Sequence, residues 1–392
     1  MKNIAKRKRT ILANLITFCI VIFGFFILIH SFESFDRPNY NYKIPKTSLT
    51  THATIDIDGN TELGAFCTIG QGTSIDPYVI ENLEINASLD DGIDIRNTDA
   101  HLIIRNCKIV NGSQLNFEYG IYMKNSSNVK ILNNTLIKNG GGIWAIDSNN
   151  NTFSNNNCSE SGNGSGNGID LLNSHNNIIH NNTIFNCKDG IELSSSQNNS
   201  VTNNFCSFND WYGIDVSDSQ FNNISHNNCS FNKLGISIWE ADNNTLSQNV
   251  MYKDGLELYN SFNNTIEINN KINGKSIYYS ENEENIRISG DSDVGQVFLI
   301  NCNNSIIEDL EISNVGYGIC VVDSNNISIF NNTCNYIEED GISLYNCHFS
   351  NISFNRCFNG WYGVFSYSST NNSYIGNNIS KNKHGLDLYW HS

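Results

Sequence analysis

Asp170, Glu192 and Asp215 each stand two residues after a glycine (Gly168, Gly190, Gly213), Trp144 holds the same place after Gly142, and Glu257 after Gly255. In an ordinary chain these residues would have no reason to meet. They meet if every such glycine opens one turn of a stacked structure, and the carboxylates of neighbouring turns then lie about 5 Å apart. Like charges at that spacing raise at least one pKa or call for a cation, and Ca²⁺ is the cation considered for them. Paired carboxyls about 5–5.5 Å apart are also the arrangement used by retaining glycosidases. On this reading Asp170, Glu192 and Asp215 are candidate catalytic groups. Trp144, Trp211, Tyr212 and Glu257 are candidate substrate-binding groups, with Trp361 and Tyr362 a similar aromatic pair before Gly363. Flat rings beside carboxylates suit sugars. The plainer alternative is a solvated face, since Ser237 and Ser343 occupy the same slot.

The elements that would position these groups are written in the repeat. Gly120, Gly142, Gly168, Gly190, Gly213, Gly235, Gly255, Gly295, Gly318, Gly341, Gly363 and Gly385 recur mostly at about 22–23 residues, the period of a solenoid. Six residues on lies a small side chain, as at Ser126, Ser148, Ser174, Ser196, Ser219 and Cys347, with Cys302 seven on from Gly295. An Asn pair follows, as at Asn176–Asn177, Asn198–Asn199 and Asn243–Asn244. Apolar residues flank one variable residue in Ile169-Asp170-Leu171, Ile191-Glu192-Leu193 and Ile214-Asp215-Val216. That is period two, so the middle residue points away from the apolar pair.

Strands this short, three to a repeat, cannot cross a sandwich, but they can coil. The fold expected is all-β: a right-handed parallel β-helix of roughly thirteen coils, closed by parallel ladders. Asn at a fixed bend tolerates left-handed dihedrals and can pass amide hydrogen bonds up a column. A leucine-rich repeat is excluded, because Leu does not dominate and no helical periodicity appears in the repeat region.

The chain has 392 residues, a net charge of -16, 12 Cys and only 3 Pro. This acidity argues against a nucleic-acid partner, which requires clustered Lys and Arg. Lys2, Lys6, Arg7, Lys8 and Arg9 precede an apolar run from Ile11 to Ile29, long enough to span a bilayer with its basic flank inside. A cleaved signal peptide is the alternative. The expected organisation is a basic cytoplasmic segment over 1–10, a transmembrane signal-anchor over 11–30, a linker over 31–50 and the β-helix over 51–392. A loop insertion is expected at about 271–294, where two anchors lie twice the usual distance apart. Repeat-slot cysteines such as Cys206, Cys229, Cys302 and Cys347 read as small buried hydrophobes rather than disulfides.

The repeat over about 54–392, with Gly72-Thr73-Ser74-Ile75-Asp76-Pro77-Tyr78-Val79-Ile80-Glu81-Asn82 and Ile272-Asn273-Gly274-Lys275-Ser276-Ile277-Tyr278-Tyr279, resembles right-handed parallel β-helix proteins of the pectin-lyase-like superfamily. The branch is the one named after the nitrous oxidase accessory protein NosD. The resemblance implies the fold; this fold hosts many activities. Asn97-Thr98-Asp99 matches the first motif of polygalacturonase-like members, but no Gly-His-Gly and no Arg-Ile-Lys follow it. Copper, which the branch name implies, finds 3 Met and 9 His without clustered spacing.

The reading expected is a membrane-anchored extracytoplasmic scaffold that recognises carbohydrate or another envelope component through its acidic and aromatic face. The alternative is a polysaccharide hydrolase or lyase, and the third is a metalloenzyme maturation factor. Leu386-Asp387-Leu388-Tyr389-Trp390 would leave an open strand edge, for self-capping or for a partner.

Overall fold

Period-two patterning becomes burial in most coils: Ile169 and Leu171, Ile191 and Leu193, and Ile214 and Val216 are fully buried, and the residue between each pair is half-buried. The computed structural model describes residues 48–113, 118–161 and 166–389. They build a right-handed parallel β-solenoid of about fourteen coils around one continuous apolar core. The expected membrane segment, most of the linker and Trp390 lie outside the described residues. Among the described residues no helix is long and apolar enough to cross a membrane.

Three faces run along the first part. One is a nine-stranded sheet from Ile55–Asp58 to Leu256–Tyr259. The second is nine-stranded, from Tyr78–Glu81 to Thr265–Ile266, and the third seven-stranded, from Thr50–His52 to Phe205–Cys206. Pairing is in register and parallel, as in Asp170 with Glu192 and Glu192 with Asp215. Close stacking explains the anchor glycine: a Cβ on Gly213 would meet Gly235 O at 2.5 Å and Cys229 Cβ at 2.7 Å.

Each Asn pair divides two tasks that the sequence reading gave to one residue. The first Asn takes the left-handed bend, with φ 58° at Asn176 and 54° at Asn181. The second is buried and makes the column. Asn182 accepts from Asn156 N at 2.9 Å and from its Nδ2 at 3.1 Å, then donates Nδ2 to Phe153 O at 2.9 Å and to Asn204 Oδ1 at 3.0 Å. The small-residue column does likewise, Ser174 N donating to Ser196 Oγ at 3.0 Å. These bonds satisfy bend amides that water cannot reach.

Three features depart from the sequence reading. A short helix, Asn60–Phe66, lies in the first coil and buries Leu63 completely in the core; seven residues are too few to show a helical period. Residues 271–294 do not leave as a loop. They supply the strands Lys271–Ile272, Lys275–Glu281 and Arg287–Ile288, because Ile277 and Ile288 are drawn into the core. Lys275–Glu281 pairs antiparallel with Lys271–Ile272 and parallel with Val294–Ile300. Gly295 is not an anchor: Val297 pairs with Ile319, the residue after Gly318, so Gln296 stands in the glycine slot. The eleven described cysteines are free and ten of them are buried, as their repeat slots suggest.

After this junction the chain resumes coiling through Val294–Ile300, Ile319–Val322, Asp340–Tyr345, Tyr362–Tyr367 and His384–Tyr389. At the last strand Leu386 and Leu388 are 45% and 43% exposed, whereas Val364, the partner of Leu386, is fully buried.

Candidate functional site: an acidic and aromatic face

The slot two after each anchor forms one continuous column in the nine-stranded sheet. Asp56, Asp94, Tyr122, Trp144, Asp170, Glu192, Asp215, Ser237 and Glu257 are successive register partners. Trp144 and the three proposed carboxylates therefore do stand in adjacent coils. Glu257 lies in the column with Ser237 between it and Asp215, but its carboxylate turns elsewhere. It accepts from Ser237 Oγ at 3.1 Å and from Tyr317 OH at 3.0 Å.

A second column flanks the first, one residue before the anchors. Here Asn167 donates its Nδ2 to Asp170 at 3.3 Å and also to Glu192. Tyr119 stacks on Trp144 with centroids 4.9 Å apart, and Tyr122 meets the same indole edge-on at 5.4 Å. Asp189 is buried; it accepts from Tyr212 N at 3.0 Å and pairs with Lys188 at 2.8 Å. Tyr212 thus borders the carboxylates. Trp211 is 47% exposed, but Lys233 covers its ring at 5.0 Å, so one face is already taken. On the other flank Trp239 and Tyr259 stack at 3.9 Å. The sequence reading missed Tyr119, Asn167, Asp189, Trp239 and Tyr259. Reading the slots one before and four after each anchor would have found them.

Burial pushes the Asp170 carboxyl up to about 7 and Glu192 adds to it, while the Asn167 bond and Lys188 work the other way. Asp215 is also pushed up to about 7, by burial first and then by Glu192 and Asp189, against bonds from Ser237 and Ser217. Burial, then Asp170, Asp91 and Glu192, push the Tyr119 phenol up. Two carboxyls poised near neutrality beside a third can exchange a proton or accept hydroxyl hydrogen bonds, with aromatic rings alongside.

The family described as periplasmic copper-binding protein (NosD) matches residues 53–214, 105–254 and 250–392. The chain belongs to the NosD family. No curated protein sequence matches it. Among solved structures it is similar to the Streptococcus pneumoniae surface protein and adhesin PfbA, at 12% identity over 80% of this chain and 91% of that one, TM-score 0.38. It is also similar to a double mutant of the periplasmic alginate epimerase AlgG, at 12% over 88% and 85%, TM-score 0.39. A third is the Azotobacter vinelandii mannuronan C-5 epimerase AlgE4 A-module, at 14% over 86% and 100%, TM-score 0.32. Similarities this loose say nothing about what a NosD protein of this sequence binds.

The copper in the NosD description finds no donor set in the described residues, where no three His, Cys, Asp or Glu converge to hold a metal. Met123 and Met251 are buried in the core. Burial pushes the Cys187, Cys320 and Cys347 thiols up to about 12, far from the thiolate a soft metal needs. His175 already accepts from Gln197 N at 3.0 Å, and His180 pairs with Thr202 at 3.0 Å. These residues do not fit the metal.

Proposed function

We propose that this NosD-family protein is an extracytoplasmic carbohydrate-binding scaffold, held to a membrane by residues 11–30, and that it takes a neutral polysaccharide along the column from Trp144 to Asp215. The observation that carries this reading is the unbroken in-register run of Trp144, Asp170, Glu192 and Asp215, with rings on its flanks. The coil rise of about 4.8 Å is close to the length of one sugar ring, so successive rings would meet successive carboxylates. Bonds from hydroxyls to ionised carboxylates are the stronger kind. Trp144, pinned by Tyr119, supplies a rigid aromatic face. An acidic column disfavours uronates unless Ca²⁺ bridges them, and this is the one place Ca²⁺ enters.

A second reading is a polysaccharide hydrolase or lyase. It is favoured by Asp170 and Asp215 both lying near 7, where a carboxyl can act as a general acid. The test is a glycan array and a reducing-end and unsaturated-product assay on the whole chain, with and without Ca²⁺. The wild type is compared with the Asp170→Asn, Asp215→Asn double variant. Binding without turnover that drops at least about tenfold in the variant is expected. New products would make the protein an enzyme, and binding indifferent to the double substitution would remove the column from both readings.

A further inference from the structure

Where the two parts of the solenoid join, the nine-stranded sheet ends at Leu256–Tyr259 without a backbone ladder to the next coil. The Gln296 side chain bridges the break. Leu256 N donates to its Oε1 at 3.1 Å, and its Nε2 donates to Leu256 O at 2.6 Å. Beyond that bridge the walls part around a cavity of about 70 Å³. Glu257 and Tyr259 line it from one part, and Phe298, Tyr317, Val322 and Tyr345 from the other. Leu258 shows the opening directly: it is only half-buried, although its register partner Ile238 is fully buried.

Four aromatic side chains around one carboxylate are a specific chemistry. Ring faces attract a cation, and they do so best for one whose charge wears an apolar skin. Glu257 is 6% exposed and is the one acidic group among the residues lining the cavity. Asp340 lies behind Tyr345, whose hydroxyl is 3.4 Å from it, and Glu339 is paired with Lys233 at 3.0 Å. The surroundings are net negative, which excludes an anion. A divalent metal would need several oxygen ligands, and the cavity offers it one carboxylate. A neutral apolar guest would leave the buried carboxyl with only its bonds from Ser237 and Tyr317 and the charge of Lys233, which Glu339 shares, whereas a cation would offset the burial that pushes Glu257 up.

We propose that this junction cavity is a binding site for a small organic cation of the methylated-ammonium class, its charge facing Glu257 and its methyl groups packed against Tyr259, Phe298, Tyr317 and Tyr345. The site lies at the end of the carboxylate column, past Ser237, and uses none of the residues from Trp144 to Asp215. It exists because Gln296 replaces an anchor glycine and interrupts the ladder.

The experiment titrates the whole chain with choline and, separately, with 3,3-dimethyl-1-butanol, the neutral carbon analogue of the same shape, by calorimetry. Choline is expected to bind saturably, and the analogue about tenfold or more weaker. In Glu257→Gln, which keeps the shape but accepts from only one of Ser237 and Tyr317 and must donate to the other hydroxyl, choline should lose about tenfold or more; in Asp170→Asn it should be unchanged. Equal binding of the neutral analogue, or no saturable binding of choline at millimolar concentration, overturns the proposal on the unmodified protein, whatever the variants do. Choline binding indifferent to Glu257→Gln, with the fold checked by circular dichroism, overturns it as well.

Discussion

In the first part of the solenoid the outward column reads Tyr122, Trp144, Asp170, Glu192, Asp215, Ser237 and Glu257. In the second part the same slot, by register, holds Phe298, Cys320, Ser343, Phe365 and Asp387. Phe298, Cys320 and Ser343 are 2%, 4% and 0% exposed, as closed as Ser237 and Glu257 at the end of the first part, whereas Trp144, Asp170, Glu192 and Asp215 are only half-buried. The inward slots do not differ in this way. Ile191 and Leu193 in one part answer to Ile342 and Leu344 in the other, all fully buried. Both parts also run Asn columns, through Asn182 in the first and Asn332, Asn355 and Asn377 in the second. Inward and bend positions are dictated by the coil and recur wherever a coil is made. The outward slot carries no such demand, so its contents are free to serve a ligand in one stretch and to be packed away in another.

The sharpest way to break this comparison is through the Asn columns, where the two parts should behave alike in kind and differ only by burial. Asn182 lies mid-column and is buried; Asn377 is half-buried near the C-terminal coils, accepting from Asn355 N at 2.9 Å and donating to Ile352 O at 2.7 Å. Asn182→Ala strands donors and acceptors in the coils on both sides and should cost about 3–5 kcal/mol. Asn377→Ala, with water nearby, should cost about 1 kcal/mol. Urea midpoints of the two variants measure the difference. Equal losses would mean that the columns are not held by their buried amides.

The second prediction concerns the joint. Solenoid coils touch only their neighbours, so cooperativity depends on each interface. Gln296 is fully buried and gives Leu256 the two bonds a neighbouring strand would give. Gln296→Ala should cost about 2–3 kcal/mol and split unfolding into two resolved transitions, one for each part. A single transition at the wild-type midpoint would show that the side-chain bridge does not couple them.

Much of this was legible in the sequence, for a physical reason. The coil makes the same demand every 22 or so residues, and a demand repeated a dozen times leaves a pattern that needs no structure to see. The column of Trp144, Asp170, Glu192 and Asp215 was legible because parallel in-register stacking converts equal spacing into contact. The places that escaped are those where the demand changes. Gln296 could not be recognised as the occupant of a glycine slot while Gly295 stood beside it. Tyr317 reaches Glu257 across 60 residues only because the ladder is interrupted there. Asn167 stands in a recognisable slot, one before Gly168, but its bonds to Asp170 and Glu192 do not follow from that slot, since its neighbours there, Gly141 and Asp189, differ from it in kind.

The smallest effect tests whether the carboxylate column is held against its own stability. Asp170 and Asp215 sit near 7 in the fold against 3.8 for the free side chain, with burial the larger cause and Glu192 the next. Between about pH 4 and 7 the folded chain therefore binds more protons than the unfolded one. The stability these groups contribute is full below about pH 4 and is lost as pH rises through 7. Asp170→Asn removes one such charge, so it should stabilise the protein by about 1–2 kcal/mol at pH 8 and leave it nearly unchanged at pH 4. Part of that gain should vanish in a Glu192→Gln background, because the like charge is then already gone. Asp340 in the second part, also raised to about 7 by burial and then by Glu339, provides the control. Asp340→Asn should show the same pH trend but no dependence on Glu192→Gln. Thermal melts of the three single variants and the two doubles at the two pH values measure this. If Asp170→Asn destabilises the protein at pH 8, the column is a structural ion network rather than a set of charges kept in place for a ligand.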